Sequence, residues 1–246
     1  MGDHLSDLGF LVETDDQLVD LARAASDAGA AVPAARGACY CWAPGEGVEL
    51  WVELGSDGRL RTCKPHFSGA SSIRAQIVDL FAGDGDSLHG RVYAWAGPDP
   101  RGARFSGPPL ILELPDLGLV RSHLTCPATV SVQVAAFAHA AECFADEYAF
   151  RLWQEGRPTP MSPDCFIPSG AFAQPPRPEA AFAGRIEQAG LRINPATGRS
   201  FHHLRVCTAI GTVDVVADPE GLDGIPMAGG ILQGYFWLSG RIVAVG

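Results

Sequence analysis

The sequence predicts an α+β domain over about residues 1–155, a proline-rich connector over 156–180 and a small closed β-barrel over 181–246. Three observations carry this. Short runs of alternating apolar residues, with few helical runs between them, fill the first part; seven prolines crowd 156–180; and after Ala181 long strand-like runs are punctuated by glycines at 229, 230, 234 and 240. Gly (29) and Pro (19) together favour many short strands joined by tight turns over a helical bundle. With 47% hydrophobic and 19% charged residues the chain can bury a sizeable core, which excludes global disorder.

The first element is a helix over 15–28. Thr14 can cap it, Gln17 stands at the capping-box position, Leu18, Leu21, Ala22 and Ala25 share a face, and Gly29 ends the run. Ala38 to Trp42 and Val48 to Leu54 read as hairpin strands joined by Pro44-Gly45-Glu46-Gly47, with Arg59 to Cys63 returning as a third. Ile73 to Phe81 suits either period, and the dense turn residues on both sides favour a strand. Gly90 to Trp95 and Leu110 to Leu114 follow as strands around a Pro/Gly-rich loop over 97–109. Val130, Val132 and Val134 alternate into another strand, and Ala145 to Gln154 is helical.

In the connector, Phe166, Ile167 and Phe172 suggest a segment pinned onto a domain. Strands are then expected over 182–193, 200–208, 212–217 and 229–245, with a turn at Asn194–Gly198 and a stop at Asp218-Pro219. Strands this long, with glycines where one must bend, suit a sheet that closes on itself.

A three-strand meander, an intervening segment and closing strands is the order of an OB-fold, so the predicted barrel is OB-like. FAGRI (182–186), NPATGRSF (194–201), TVDVVADP (212–219) and GGILQGYFWLSGRI (229–242), with FIPSG (166–170) and PHFSG (65–69), resemble the OB-like C-terminal region of a family of bacterial proteins. That resemblance implies a fold and brings no functional residues. The segment between Pro219 and Met227 is shorter than the usual OB-fold helix. VELWVEL (48–54) and PLILELPD (109–116) are similar in paired-hairpin style to vicinal oxygen chelate folds, which implies a metal or small-molecule site in the first half.

The net charge is −10, and it is uneven: residues up to 170 hold 12 basic and 22 acidic side chains, the remainder six of each. An acidic body repels nucleic-acid phosphate and anionic lipid. The opening ten residues lack a basic and an apolar region, and no apolar run reaches the roughly 18 residues of a membrane span. A cytoplasmic protein that does not enter a membrane is therefore expected, with its seven cysteines reduced.

Several constellations carry candidate chemistry. Glu49, His66, Glu113 and His139 are the candidate metal ligands of the chelate-like fold; the competing reading turns both carboxylates outward on half-buried strands. Cys39, Cys41, Cys63 and His66 suggest zinc, against burial as small hydrophobes. Cys165 and Cys207 lack a base fixed beside them, with His202 and His203 the nearest in sequence. Asp214 and Asp218, four apart on a strand and so about 13 Å apart, suit turn or edge roles better than paired catalysis. Phe201, His203, Arg205, Tyr235 and Trp237 can line one barrel face for a nucleic-acid strand or a protein partner, or fill the core instead. No catalytic constellation assembles and no cofactor is implied. The expected function is a non-enzymatic binding or adaptor protein using its C-terminal barrel; a metal or small-molecule module and a single-strand nucleic-acid binder are the alternatives.

Overall fold

Helix α1 (Asp15–Ala28) opens with the complete capping box: Gln17 donates its backbone N–H to the Thr14 hydroxyl, and its side chain accepts the Thr14 N–H. Its buried Ala22 and Ala25 face the first sheet. The structure, a computed structural model, describes residues 4–83, 87–97 and 107–246, so most of the predicted 97–109 loop lies outside the described residues. It is mostly β, in two sheets.

The first sheet is an antiparallel meander of β1 (Ala30–Val32), β2 (Ala38–Gly45), β3 (Val48–Leu54) and β4 (Leu60–Phe67). Between β2 and β3 the chain reverses through Gly45, Glu46 and Gly47, all at positive φ (128°, 54° and 81°), a conformation for which glycine is suited.

The second sheet holds β5 (Ile73–Ala82), β6 (Gly90–Ala96), β7 (Pro109–Leu114), β8 (Ala128–Phe144), β9 (Phe166–Ile167), β10 (Glu179–Ile193), β11 (Ser200–Thr208), β12 (Gly211–Ala217), β13 (Leu222–Asp223) and β14 (Ile231–Val245). Short helices α2 (Leu117–Val120) and α3 (Glu147–Gln154) lie between strands. Residues 73–81, which suited either period, form a strand.

Pairing in this sheet follows an approximate two-fold rule. The meander β5–β6–β7 docks on the long strands by antiparallel β5–β8 and parallel β7–β14 contacts. Meander β10–β11–β12 docks in mirror order, antiparallel to β14 through β10 and parallel to β8 through β12. Because β8 and β14 also pair with each other from Ile231↔Phe144 to Val245↔Val130, both meanders close into five-stranded rings sharing that pair.

This connectivity corrects the expected division into an α+β domain over 1–155 and a self-contained barrel over 181–246. The C-terminal strands close only by borrowing β8, whose residues precede the connector. The physical reason is edge satisfaction: β12 and β14 each carry an edge that the C-terminal strands alone leave unpaired, and β8 covers both. Within the connector, β9 pairs with β10 and Phe166 packs near Phe182, while Ile167 and Phe172 are exposed.

Strand β8 shows how one sequence serves two layers. Val130, Val132, Val134, Ala136 and Ala138 point into the ring interior, joining Ile77, Leu112, Phe182, Leu204 and Phe236 in one core. Ala135 and Phe137 point outward into a second core with Leu8 and Phe10 of the N-terminal segment, Leu50 and Val52 of β3, and Phe201 and Trp237. The first sheet thus covers the outer face of the rings.

Phe137→Ala should test that layer. Phe137 is fully buried, and the substitution is expected to lower unfolding free energy by about 3–5 kcal/mol in urea titration.

Candidate functional site

Polar side chains collect where the first sheet meets the rings, and Asp214 is their centre. Fully buried on β12, it accepts four hydrogen bonds: from the Ser71 N–H at 3.1 Å, the Ser71 hydroxyl, Gln133 Nε2 at 3.2 Å and His203 Nε2 at 2.9 Å. Burial alone would raise its pKa, but the bonds from His203, Ser71 and Gln133 outweigh it and hold the carboxyl below its ordinary value. The chain from β4 to β5 wraps this carboxylate so closely that a Cβ on Gly69 would stand 2.0 Å from Asp214 Oδ2. The PHFSG segment therefore ends in glycine for want of space.

The network runs outward from there. Arg192 Nε, a donor only, lies 3.1 Å from His203 Nδ1, so His203 accepts there and carries its proton on Nε2 toward Asp214. Arg192 also bonds Glu46 at 3.0 Å. With both ring nitrogens engaged, His203 has no lone pair left for a substrate, so the Asp214–His203 pair is not arranged as a general base.

Beside this group, fully buried His66 meets the Ser239 hydroxyl at 2.8 Å through Nδ1. Burial, reinforced by the nearby Arg241 charge, pushes its pKa down to about 3. Arg241 on β14 holds Asp116 and Glu49, each at 3.0 Å, and Glu49 also accepts from the Trp51 indole at 3.0 Å. Lys64 on β4 pairs with Glu113 on β7 at 2.8 Å. These contacts tie the first sheet to β14 and β7.

Three of the four candidate metal ligands gather at this seam. Glu49 and His66 are cross-strand partners on β3 and β4, and Glu113 is paired with Ser239, the residue His66 touches. Both carboxylates, however, are committed to basic side chains. His139 stands apart, exposed on β8 beside His4 and Tyr235. It is four residues from Ala135, which faces Ser239, or about 13 Å along the strand. Among the described residues, no group of three or more His, Cys, Asp or Glu side chains is placed to hold a metal ion.

Of the candidate cysteines, Cys39 and Cys41 pack on one face of the first sheet and Cys63 on the other, so they cannot share an ion. Burial, joined by neighbouring acidic charge at the first two, raises Cys39 to about 11 and Cys41 to about 12; burial raises Cys63 to about 12. Cys165 packs beside Phe150, and Cys207 is exposed on β11. No hydrogen bond among the described residues joins either to a histidine. Asp218 fills a turn role by capping the Glu220 N–H at 2.9 Å, whereas the edge role expected of Asp214 is wrong because the 69–71 segment buries it.

The five candidate binding residues do not form one open face. Phe201 and Trp237 belong to the covered core, and His203 is bound into the Asp214 network. Arg205 lies 3.6 Å from Glu187, and Tyr235 donates to Glu179. Bases could not stack on Phe201 or Trp237 without uncovering them.

The open surface lies elsewhere. Strand β10 pairs with β14 only as far as Arg185, and a bulge at residue 187 then redirects it. From 187 to 193 β11 continues on one edge, while the other has no backbone partner among the described residues. Leu191 and Ile193 are 60% and 59% exposed, and a Cβ on Gly190 would meet nothing within 4 Å. Sequence reasoning placed this strand inside a barrel and missed its overhang; the extra residue of the bulge leaves no compositional mark.

Comparison of the chain with protein-family models, with curated proteins and with solved structures gave no match. No helix among the described residues is long and apolar enough to cross a membrane.

The His66 imidazole provides a pH test. Its ordinary pKa is 6.5 and its native value about 3, so between these limits the unfolded chain binds a proton that the native chain does not. Stability should therefore fall on acidification from pH 7 to 4.5, with His66 contributing up to about 1.4 kcal/mol per pH unit. Urea titrations of the parent and His66→Gln across this range should diverge, the variant losing that part of the slope.

Proposed function

We propose that this chain is a non-enzymatic cytoplasmic binding protein whose OB-like C-terminal ring captures an extended segment of a partner protein. The carrying observation is the free backbone edge of residues 187–193, with Leu191 and Ile193 exposed beside it. A strand edge of this kind calls for another strand: backbone groups supply the pairing, and side chains on alternate positions supply the selection. Leu191 and Ile193 share one face of β10, so the preferred partner carries apolar residues at every second position.

One further observation supports a binding role over catalysis, and another bears on the compartment. Asp214 and His203 are bonded to each other, His203 also to Arg192, and Asp116 and Glu49 to Arg241. All seven cysteines are free, which suits a reducing compartment. The OB-like reading rests on a meander closed by two long strands, with β8 supplying the strand that the C-terminal segment lacks. Nucleic-acid binding is less favoured because two of its three candidate aromatic side chains, Phe201 and Trp237, are covered.

Selection of a random-peptide display library on the full chain tests the proposal. Enriched peptides should alternate apolar residues, increase amide-exchange protection within 187–193, and lose at least about tenfold in affinity to a Leu191→Asp/Ile193→Asp variant. No enrichment, or peptides that bind parent and variant alike, would reject it.

A further inference from the structure

The two-fold pairing rule has a chemical counterpart. Glu113 on β7 faces Ser239 of β14, and Asp214 on β12 faces Ala135 of β8; Ser239 and Ala135 face each other. Each acid also stands directly opposite an arginine on its meander's middle strand, Arg91 for Glu113 and Arg205 for Asp214. The surroundings then diverge. At Asp214, residues 69–71 close over the carboxylate. At Glu113 there is instead a cleft of about 220 Å³ lined by Lys64, Phe81, Gly83, His89, Gly90, Arg91 and Glu113.

We infer that this cleft is a binding site for a small oxyanion, the phosphate or carboxylate group of a compact metabolite. Among the described residues, its charged donors outnumber its charged acceptors. Lys64, the chain's only lysine, has three N–H donors and gives one to Glu113 at 2.8 Å. Arg91 has five and gives one to the Pro176 carbonyl at 2.6 Å. The Ser87 hydroxyl donates to Glu53 at 2.6 Å and accepts from His89 Nδ1 at 2.6 Å, so the neutral His89 ring turns an acceptor, Nε2, outward and adds no donor to the cleft. Among the described residues Glu113 supplies the only carboxylate of the lining itself, and Glu53 stands behind His89, 3.6 Å from its Nδ1.

An ammonium and a guanidinium converging on one cleft match an oxyanion's acceptors, the guanidinium offering a planar fork. The groups are partly buried: the Lys64 and His89 side chains are 32% and 22% exposed. Gly83 keeps the wall close, since a Cβ there would lie 2.7 Å from the His89 carbonyl. The volume is below the range of about 300–1,000 Å³ common for drug-sized ligands, which favours an anion of few atoms. The site is on the β5–β6–β7 ring and is independent of the strand edge proposed above.

Calorimetric titration of the full chain with inorganic phosphate and, separately, citrate at constant ionic strength tests the assignment and distinguishes phosphate from carboxylate recognition. At least one should bind saturably at a single site. Lys64→Met and Arg91→Gln, each with an unchanged circular dichroism spectrum, should weaken it by about tenfold or more, as expected for a lost charge-assisted contact, while Lys64→Arg stays within about threefold. Glu113→Gln should tighten binding by removing the competing carboxylate. Absence of saturable binding by both anions, or equal affinity in the parent and the folded Lys64→Met and Arg91→Gln variants, overturns the inference.

Discussion

The antiparallel pair formed by β8 and β14 is the constraint on which the rest of the structure depends. These strands, 17 and 15 residues long, are each hydrogen-bonded on one edge to the other and on the opposite edge to successive partners, β5, β12 and β13 for β8 and β10 and β7 for β14. Because the pair belongs to both rings, neither meander can satisfy its edges without it. Backbone groups left unpaired away from water cost about as much as lost hydrogen bonds, so the rings are coupled through pairing as well as through their common apolar interior.

The outer face of the same pair explains the seam. Once Ala135, Phe137 and Trp237 are apolar on the outside, another layer must cover them, and the first sheet with the N-terminal segment does so. Where that cover meets β12, β14 and β7, polar groups are trapped and must find partners. Asp214 gathers four hydrogen bonds, and Arg241 gathers two acids. Acid–histidine contacts of this sort resemble catalytic machinery in composition. Here the geometry turns them inward as ties between layers, and the open features of the molecule are the overhanging strand and the basic cleft.

Local structure was legible where its causes are local. The capping box at Thr14 and Gln17 and the turn at Pro44–Gly47 carry their instructions within a few residues, and the alternation of Val130, Val132 and Val134 marked the inward face of β8. Long-range facts were not. Ser71 and Asp214 are 143 residues apart, and neither has a neighbourhood that advertises the other. Strict alternation over the expected strand 182–193 puts Gln188 on the side of Phe182 and Ile186, whereas the bulge between Ile186 and Gln188 shifts the register. The proline-rich connector suggested a boundary because composition reports local stiffness, whereas strand pairing crosses it. For the site, Glu49, His66 and Glu113 were chosen by residue type and do gather at the seam, while the basic partners that occupy both carboxylates, Arg241 and Lys64, lay outside that choice.

Isolating residues 181–246 tests the shared-pair account most directly. Without β8 the C-terminal meander and β14 cannot close, and the fragment should show a disordered circular dichroism spectrum, poor amide dispersion and no cooperative thermal transition. A dispersed spectrum with a cooperative melt would contradict the account, because the C-terminal strands would then close without the strand they borrow here.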